Sequence, residues 1–203
     1  MKKYAVLHEP GDIVTLAGTR FVVLDVERRG SLPDSLFLLA LESVGASEFG
    51  SSNNYAESDL KKAVDKWLED MGKRGLDNAK LIPREIDLTT LDGSGCYGKL
   101  SVKAAPLTLD EAREYADIIP NAERWCWLAT GWSGPSKSDG GLALCVGSSG
   151  DWSRGSCSDS YGVRPALKIP SDLLLDSADK PDLSEVPTDT LLEEIRRRVV
   201  DKA

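Results

Sequence analysis

The sequence predicts an α+β domain with two helices, short mixed or antiparallel strands, a long loop-rich C-terminal region and an additional C-terminal helix. Three observations carry this. Short alternating apolar segments recur with turn residues between them, as half-buried strands require. Two stretches switch to the helical period. No regular strand–helix–strand alternation is present, which disfavours a doubly wound sheet.

The elements follow in order. Ile13, Leu16, Phe21, Val23 and Leu24 alternate around Ala17-Gly18-Thr19-Arg20, the pattern of a β-hairpin over residues 12 to 28. Arg28-Arg29-Gly30-Ser31 supplies the next turn, and Leu36 to Leu41 is a continuous apolar run suited to a central strand. Gly50 to Tyr55 is a polar turn ahead of a helix. In that helix Leu60, Ala63, Val64, Trp67, Leu68 and Met71 fall on one face, with Ser58 as N-cap and Gly72 near the end. The spacing therefore places Trp67 and Leu68 in the core. Thr108-x-x-Glu111 is a capping box that opens a second, short helix carrying Leu109, Ala112, Tyr115 and Ala116 and ending before Pro120.

The stretch from Trp125 to Ile169 organises the chain. Trp125 and Trp127 at one end, and Val163 and Leu167 at the other, have the alternation of strands with buried faces. Between them lie residues 131 to 160, with nine Ser and seven Gly, two Trp and one Arg. Gly-Pro, Gly-Gly and Ser-Ser-Gly-Asp predict turns and loops at the surface there. Small residues around a few aromatic and Arg side chains resemble the composition of a binding surface more than an enzyme pocket. After Ile169 the composition shifts. Residues 170 to 187 read as a linker or arm, and residues 188 to 203 as a helix capped by Thr188 with Leu191, Leu192, Ile195 and Val199 on one side. A lone helix of that length must dock on something, so self-association through residues 188 to 201, a partner, and packing back on the domain all stay open.

Composition excludes several classes. The chain has 203 residues, net charge −8 and no clustering of basic residues apart from Arg196 to Arg198, so phosphate-driven binding of nucleic acid is not expected. No segment approaches the roughly 20 apolar residues of a membrane span, and the N-terminus lacks the apolar run of a secretory signal. Cytoplasmic synthesis is the expectation, with a phage particle as the alternative setting. One histidine and four cysteines without a Cys-x-x-Cys pair leave few ligands for a metal, so no metal or cofactor is expected. Reduced thiols follow from that compartment, with a Cys145–Cys157 bridge as the alternative. A Ser-His-Asp or Cys-His site would have to use His8, ahead of the first hairpin. The glycine-rich run Asp92 to Gly98 lacks the Lys-Ser/Thr of a phosphate-binding loop. Non-enzymatic binding is the reading that remains.

Certain motifs resemble a known family. Ser52-Asn53-Asn54-Tyr55-Ala56-Glu57-Ser58-Asp59-Leu60 before a Trp-Leu helix, Asp87 to Ser94, Trp125-x-Trp127-Leu128 and Tyr161-Gly162-Val163-Arg164-Pro165-Ala166-Leu167 are similar to uncharacterised bacterial and phage domains. Those domains look like the C-type-lectin fold, and some resemble the variable proteins diversified by diversity-generating retroelements. The resemblance covers residues 10 to 169 and is most specific at the final Gly-Val-Arg-Pro-Ala-Leu.

It implies a C-type-lectin-like domain over residues 1 to 169 that displays residues 131 to 160 to a protein or other macromolecular ligand. Diversification at template adenines yields Ser, Gly, Asp, Cys, Arg, Leu and Tyr codons. Ser133, Ser136, Ser138, Asp139, Leu142, Leu144, Ser153, Arg154, Ser156, Ser158 and Asp159 fit that output; Trp132, Lys137 and Trp152 would be fixed residues. Trp132, Trp152, Arg154 and Tyr161 are the expected energetic anchors, because aromatic and Arg side chains dominate hot spots. Arg164 reads as a structural ion pair near a strand end. Two rival readings accompany this one. The chain could be a phage-derived structural or assembly component using its C-terminal helix. Alternatively it could be a cysteine enzyme similar to the formylglycine-generating enzymes, with Cys126 between two buried tryptophans. The calcium-ligand motifs of sugar-binding lectins are missing.

Overall fold

A computed structural model describes residues 2–4, 8–29 and 32–177. The predicted helix at 188–201 lies outside the described residues. The described chain is mixed α+β, with two α-helices and three sheets.

Strand β1 (Lys2–Tyr4) is followed by β2 (Ile13–Leu16), β3 (Thr19–Arg29) and β4 (Leu32–Ala40). The predicted hairpin is β2–β3. Ala17 and Gly18 turn it with φ of 46° and 76°, the two positive values that a tight hairpin needs to match strand twist. The apolar run is β4, which pairs with β3 on one side. After the short strand β5 (Ala46–Glu48) comes helix α1 (Asp59–Lys73), with Ser58 Oγ accepting from the Lys61 amide as its cap. Leu60, Val64 and Met71 are buried, and Trp67 and Leu68 pack half-buried against the same core. A β6–β7 ribbon (Arg84–Asp87, Lys99–Val102) and the two-residue β8 (Ala104–Ala105) lead to α2 (Leu109–Glu114), whose capping box between Thr108 and Glu111 is formed.

The remaining strands are β9 (Cys126–Gly131), β10 (Leu142–Val146), β11 (Trp152–Ser156), β12 (Ser160–Gly162), β13 (Ala166–Pro170) and β14 (Leu174–Ser177). Two sequence expectations change here. The Ser/Gly-rich middle is not loop throughout: β10 and β11 form a hairpin in register from Leu142–Ser156 to Val146–Trp152. Nor are residues 170–187 an arm along their described part. β14 enters the large sheet between β1 and β2, with Leu175 fully buried. Both elements get their stability from the neighbours they pair with, not from local propensity, which is why composition misplaced them.

The large sheet runs β1-β14-β2-β3-β4-β13-β8 and the smaller one β11-β10-β9-β12-β5. Each is covered on both faces, so its central strands are apolar throughout rather than alternating. On one face Phe21, Val23, Leu36 and Leu38 meet α1, Trp127 and Cys145. On the other, Val22, Leu24, Phe37 and Leu39 meet α2, Leu128 and Leu144. Phe49 stands edge-on to Trp127 with centroids 5.5 Å apart, a geometry that adds about 1 kcal/mol to the burial itself. Trp125 departs from expectation. It precedes β9 and is 40% exposed, so Cys126 has only one buried tryptophan beside it, Trp127.

Candidate functional site

The β10–β11 hairpin and α2 together build a surface groove. Helix α2 is fixed first. The Leu109 amide donates to Thr130 Oγ1 at 2.9 Å, and buried Arg84 forms an ion pair with Glu111 while donating to the carbonyls of Ala105 and Pro106, both at 3.0 Å. Strand β11 is an edge of the small sheet, so the face that is core under β9 and β10 runs out into solvent at Trp152 and Arg154.

Trp132, Leu144, Trp152 and Ser153 line this groove of about 460 Å³, joined by Leu91, Leu109, Arg113 and Ala116. Trp152 is 43% exposed and Leu91 38%, two of the three large apolar residues among the described residues left this open. The Arg154 guanidinium lies 4.4 Å from the centre of the Trp132 ring, a cation–π contact that holds both side chains at the surface. Arg154 and Trp152 are thus presented on a rigid strand rather than a free loop.

The other predicted residues fall into separate places. Ser136, Ser138 and Asp139 are exposed on the loop between β9 and β10. That loop is held at both ends by Asn53, which is fully buried. Its Nδ2 donates to the carbonyls of Ser133 and Leu142, both at 2.9 Å, and its Oδ1 accepts from the Tyr97 hydroxyl at 2.6 Å. Lys137 adds a 2.6 Å ion pair to Asp92, whose carboxyl is held well below its usual range by Lys137 and by the Thr90 hydroxyl. Ser156, Ser158 and Asp159 form the β11–β12 turn and bond mainly to one another. The Ser156 amide donates to Asp159 Oδ2 at 3.0 Å, and the Ser156 and Ser158 hydroxyls are 2.8 Å apart. Tyr161 is half-buried, with its ring 4.5 Å from that of Trp127 and its hydroxyl donating to Asp159.

Two expected contact residues are not at the surface. Ser133 is buried because Asn53 draws its carbonyl inward. Leu144 is buried because cross-strand pairing with Arg154 turns its side chain onto the α2 core, so it supplies floor rather than an exposed contact. Leu142 is half-buried. Leu91, Arg113 and Ala116 were missed in the sequence. Leu91 sits in a segment too short for periodicity, Arg113 reads as the polar side of the helix, and Ala116, grouped in the sequence with that helix's apolar residues, lies just past its end at Glu114.

The chemistry of the remaining candidates is as follows. All four cysteines are free, including Cys145 and Cys157. The Cys126 thiol is buried and donates to the Arg124 carbonyl, and burial pushes its pKa up, away from the thiolate character a nucleophile needs. His8 is buried with Nδ1 3.2 Å from Asp12. Among the described residues no group of three His, Cys, Asp or Glu side chains could hold a metal, and no helix is long and apolar enough to cross a membrane. Arg164 is buried, but carbonyls rather than a carboxylate hold it: Nε donates to Ala40 at 3.0 Å and Nη1 to Pro120 at 3.1 Å. No family model, no curated protein and no solved structure matches the chain.

Proposed function

We propose that this chain is a non-enzymatic binding protein with a C-type-lectin-like domain, whose recognition surface for a protein or other macromolecule is the groove between α2 and the β10–β11 hairpin. The observation that carries it is Trp152 standing 43% exposed on a rigid edge strand, beside the Arg154–Trp132 stack and above an apolar floor. Exposing tryptophan costs apolar burial, and aromatic and Arg side chains around a concave apolar patch are the composition of binding hot spots. The loop bearing Ser136, Ser138 and Asp139 and the turn bearing Ser158 widen that surface with small polar side chains. Arg154, Ser153 and these loop positions are where diversification by a retroelement would alter contacts without touching the core.

The test is to sequence the gene's neighbourhood and the same gene from several close strains. Under this reading a reverse transcriptase gene lies nearby, with a near-copy of the codons for residues 130–165 that differs at adenines. The altered codons then fall on exposed positions such as Ser136, Ser138, Asp139, Ser153 and Arg154, and spare buried Ala143, Cys145 and Gly155. Substitutions spread evenly over buried and exposed positions, with no near-copy, would remove diversification. A direct check of the surface is Trp152→Ala, which should weaken binding to any partner isolated with the protein by about 2 kcal/mol or more, roughly thirtyfold.

A further inference from the structure

Strand β11 is an edge of the small sheet, and its pairing with β10 fixes where its backbone groups point. The Gly147 amide donates to the Asp151 carbonyl and the Cys157 amide to the Gly141 carbonyl, both at 2.8 Å. These bonds bracket an unbroken antiparallel register, in which residues bond across the pair and turn outward by turns. Ser153 and Gly155 therefore bond to β10, whereas the N–H and C=O groups of Trp152, Arg154 and Ser156 point away from it. Ser156 is satisfied there, its amide donating to Asp159 Oδ2 and its carbonyl accepting from the Asp159 amide. Among the described residues nothing bonds the outward backbone groups of Trp152 and Arg154, and both residues are exposed.

Edge strands that must stay unpaired are kept short or are blunted by proline, bulges or charges. β11 has five residues, against two or three described at the other edges of the two larger sheets, and it has no proline and no register shift. Its one charged side chain, Arg154, is folded over the Trp132 ring. Trp152 lines both the groove and a smaller apolar pocket of about 100 Å³, which it shares with Val146 and Ile119. In a chain of net charge −8, the one charged residue lining the groove is Arg113, whose ion pair is a 3.6 Å contact with exposed Asp110. Arg154 has no ion pair among the described residues.

Open backbone groups recognise another extended backbone, apolar walls an apolar side chain, and an unpaired guanidinium a carboxylate. We propose that β11 binds an acidic, extended segment of a partner protein, which adds antiparallel to it as a sixth strand of the small sheet. Trp152 and Arg154 supply the backbone bonds, with an Asp or Glu opposite Arg154 and an apolar side chain beside Trp152. A second copy of this chain fits less well, since Trp152–Ser156 holds no carboxylate to face Arg154. The inference rests on the macromolecular surface proposed above and names the chemistry of its partner.

The experiment titrates full-length, isotope-labelled protein with acetyl-Thr-Thr-Glu-Thr-Leu-Thr-amide to about 10 mM, ten times a millimolar Kd, following amide resonances by NMR. In antiparallel register the peptide's Glu faces Arg154 and its Leu faces Trp152. The amides of Trp152 and Arg154 should move downfield saturably and gain protection from exchange, while those of Ser153 and Gly155, already bonded to β10, move less. Methylating the leucine nitrogen removes the donor to the Trp152 carbonyl and should weaken binding at least tenfold, about 1.4 kcal/mol. Methylating the threonine nitrogen between Glu and Leu, which points away from β11, should change binding less than about threefold. Lys in place of Glu should bind the parent at least about threefold more weakly, and Arg154→Glu should reverse that preference. The methylated peptides use the parent protein, so the outcome does not hang on how that variant folds. Equal weakening by the two methyl groups, no preference for Glu over Lys, no saturable shift in that range, or a dimeric free protein whose Trp152 and Arg154 amides are already protected would each overturn strand addition. If strand addition fails while Trp152→Ala still weakens an isolated partner, the groove stands as the surface and only this mode of binding is removed.

Discussion

Replacing Gly155 by alanine tests how the hairpin is mounted on the core. Gly155 lies in β11 opposite Ala143 of β10. A Cβ built there would stand 2.5 Å from Tyr161 Cε2, 2.9 Å from Trp127 Cη2 and 3.1 Å from Tyr161 Cζ, the first two distances being closer than real Cβ atoms approach. Neither ring can retreat freely. Trp127 is 1% exposed, its indole N–H donates to the Ser47 carbonyl at 2.9 Å, and Phe49 braces it edge-on. Tyr161 is sandwiched between Trp127 and Trp125, with centroids at 4.5 and 6.3 Å.

Overpacking by one methyl in so tight a site costs about 1–3 kcal/mol. For a protein of this size that is a fall of roughly 2–12 °C in melting temperature. Thermal unfolding followed by near-ultraviolet circular dichroism reads both the stability and the aromatic stack. Ser153→Ala, two residues earlier on the same strand but exposed, should stay within about 0.5 kcal/mol of the parent. Combining Gly155→Ala with Tyr161→Leu should cost less than the sum of the two single changes, because the second removes the ring that the methyl meets. A Gly155→Ala protein that melts within about 1 °C of the parent, less than the smallest overpacking cost would give, would refute the steric argument. It would also remove the reason for sparing this position under the proposed diversification.

Two further outcomes follow from the same geometry. Asn53→Ala removes both carbonyl clamps on the 133–142 loop and leaves the Tyr97 hydroxyl without its acceptor, so it should destabilise by about 2–3 kcal/mol; chemical denaturation measures this, and amide exchange of Leu142 should speed up. At about pH 8 native protein should take up alkylating reagent at exposed Cys96 while Cys126, Cys145 and Cys157 stay protected, as mass spectrometry of peptides will show, because burial suppresses the thiolate. Burial pushes Cys145 and Cys157 from an ordinary value near 9.0 up to about 11, so the unfolded chain releases these protons first. Their contribution is therefore present below pH 9 and is lost as pH rises to about 11, and the urea midpoint should fall over that interval.

What the sequence determined by itself was everything specified within a few residues. Ser58 and the Thr108–Glu111 box mark helix starts because they satisfy orphan amides one turn away, and Ala17-Gly18 closes a hairpin between two apolar segments. Leu36 to Leu41 was legible as a central strand because burial on both faces, seen at Leu36 to Ala40, leaves no polar position. The exposed Trp152 and Arg154 were legible as candidate contacts from residue type. Their arrangement was not. Strand β11 contains Ser and Gly in the proportions of a loop, and it becomes a strand because apolar β10, itself paired with β9, offers an edge to pair with. β14 likewise needs β1 and β2, from the far end of the chain. Leu144 looks like a surface residue until its pairing with Arg154 fixes which face it takes, since a strand's register, set between segments, decides inside from outside. Gly155 looks like one more loop glycine until Tyr161 and Trp127 close over it, and Arg164 looks like a strand-end ion pair until two carbonyls and an apolar pocket surround it. Local hydrogen-bonding logic is written in neighbouring residues, whereas pairing, burial and the company a side chain keeps are settled only when distant segments meet.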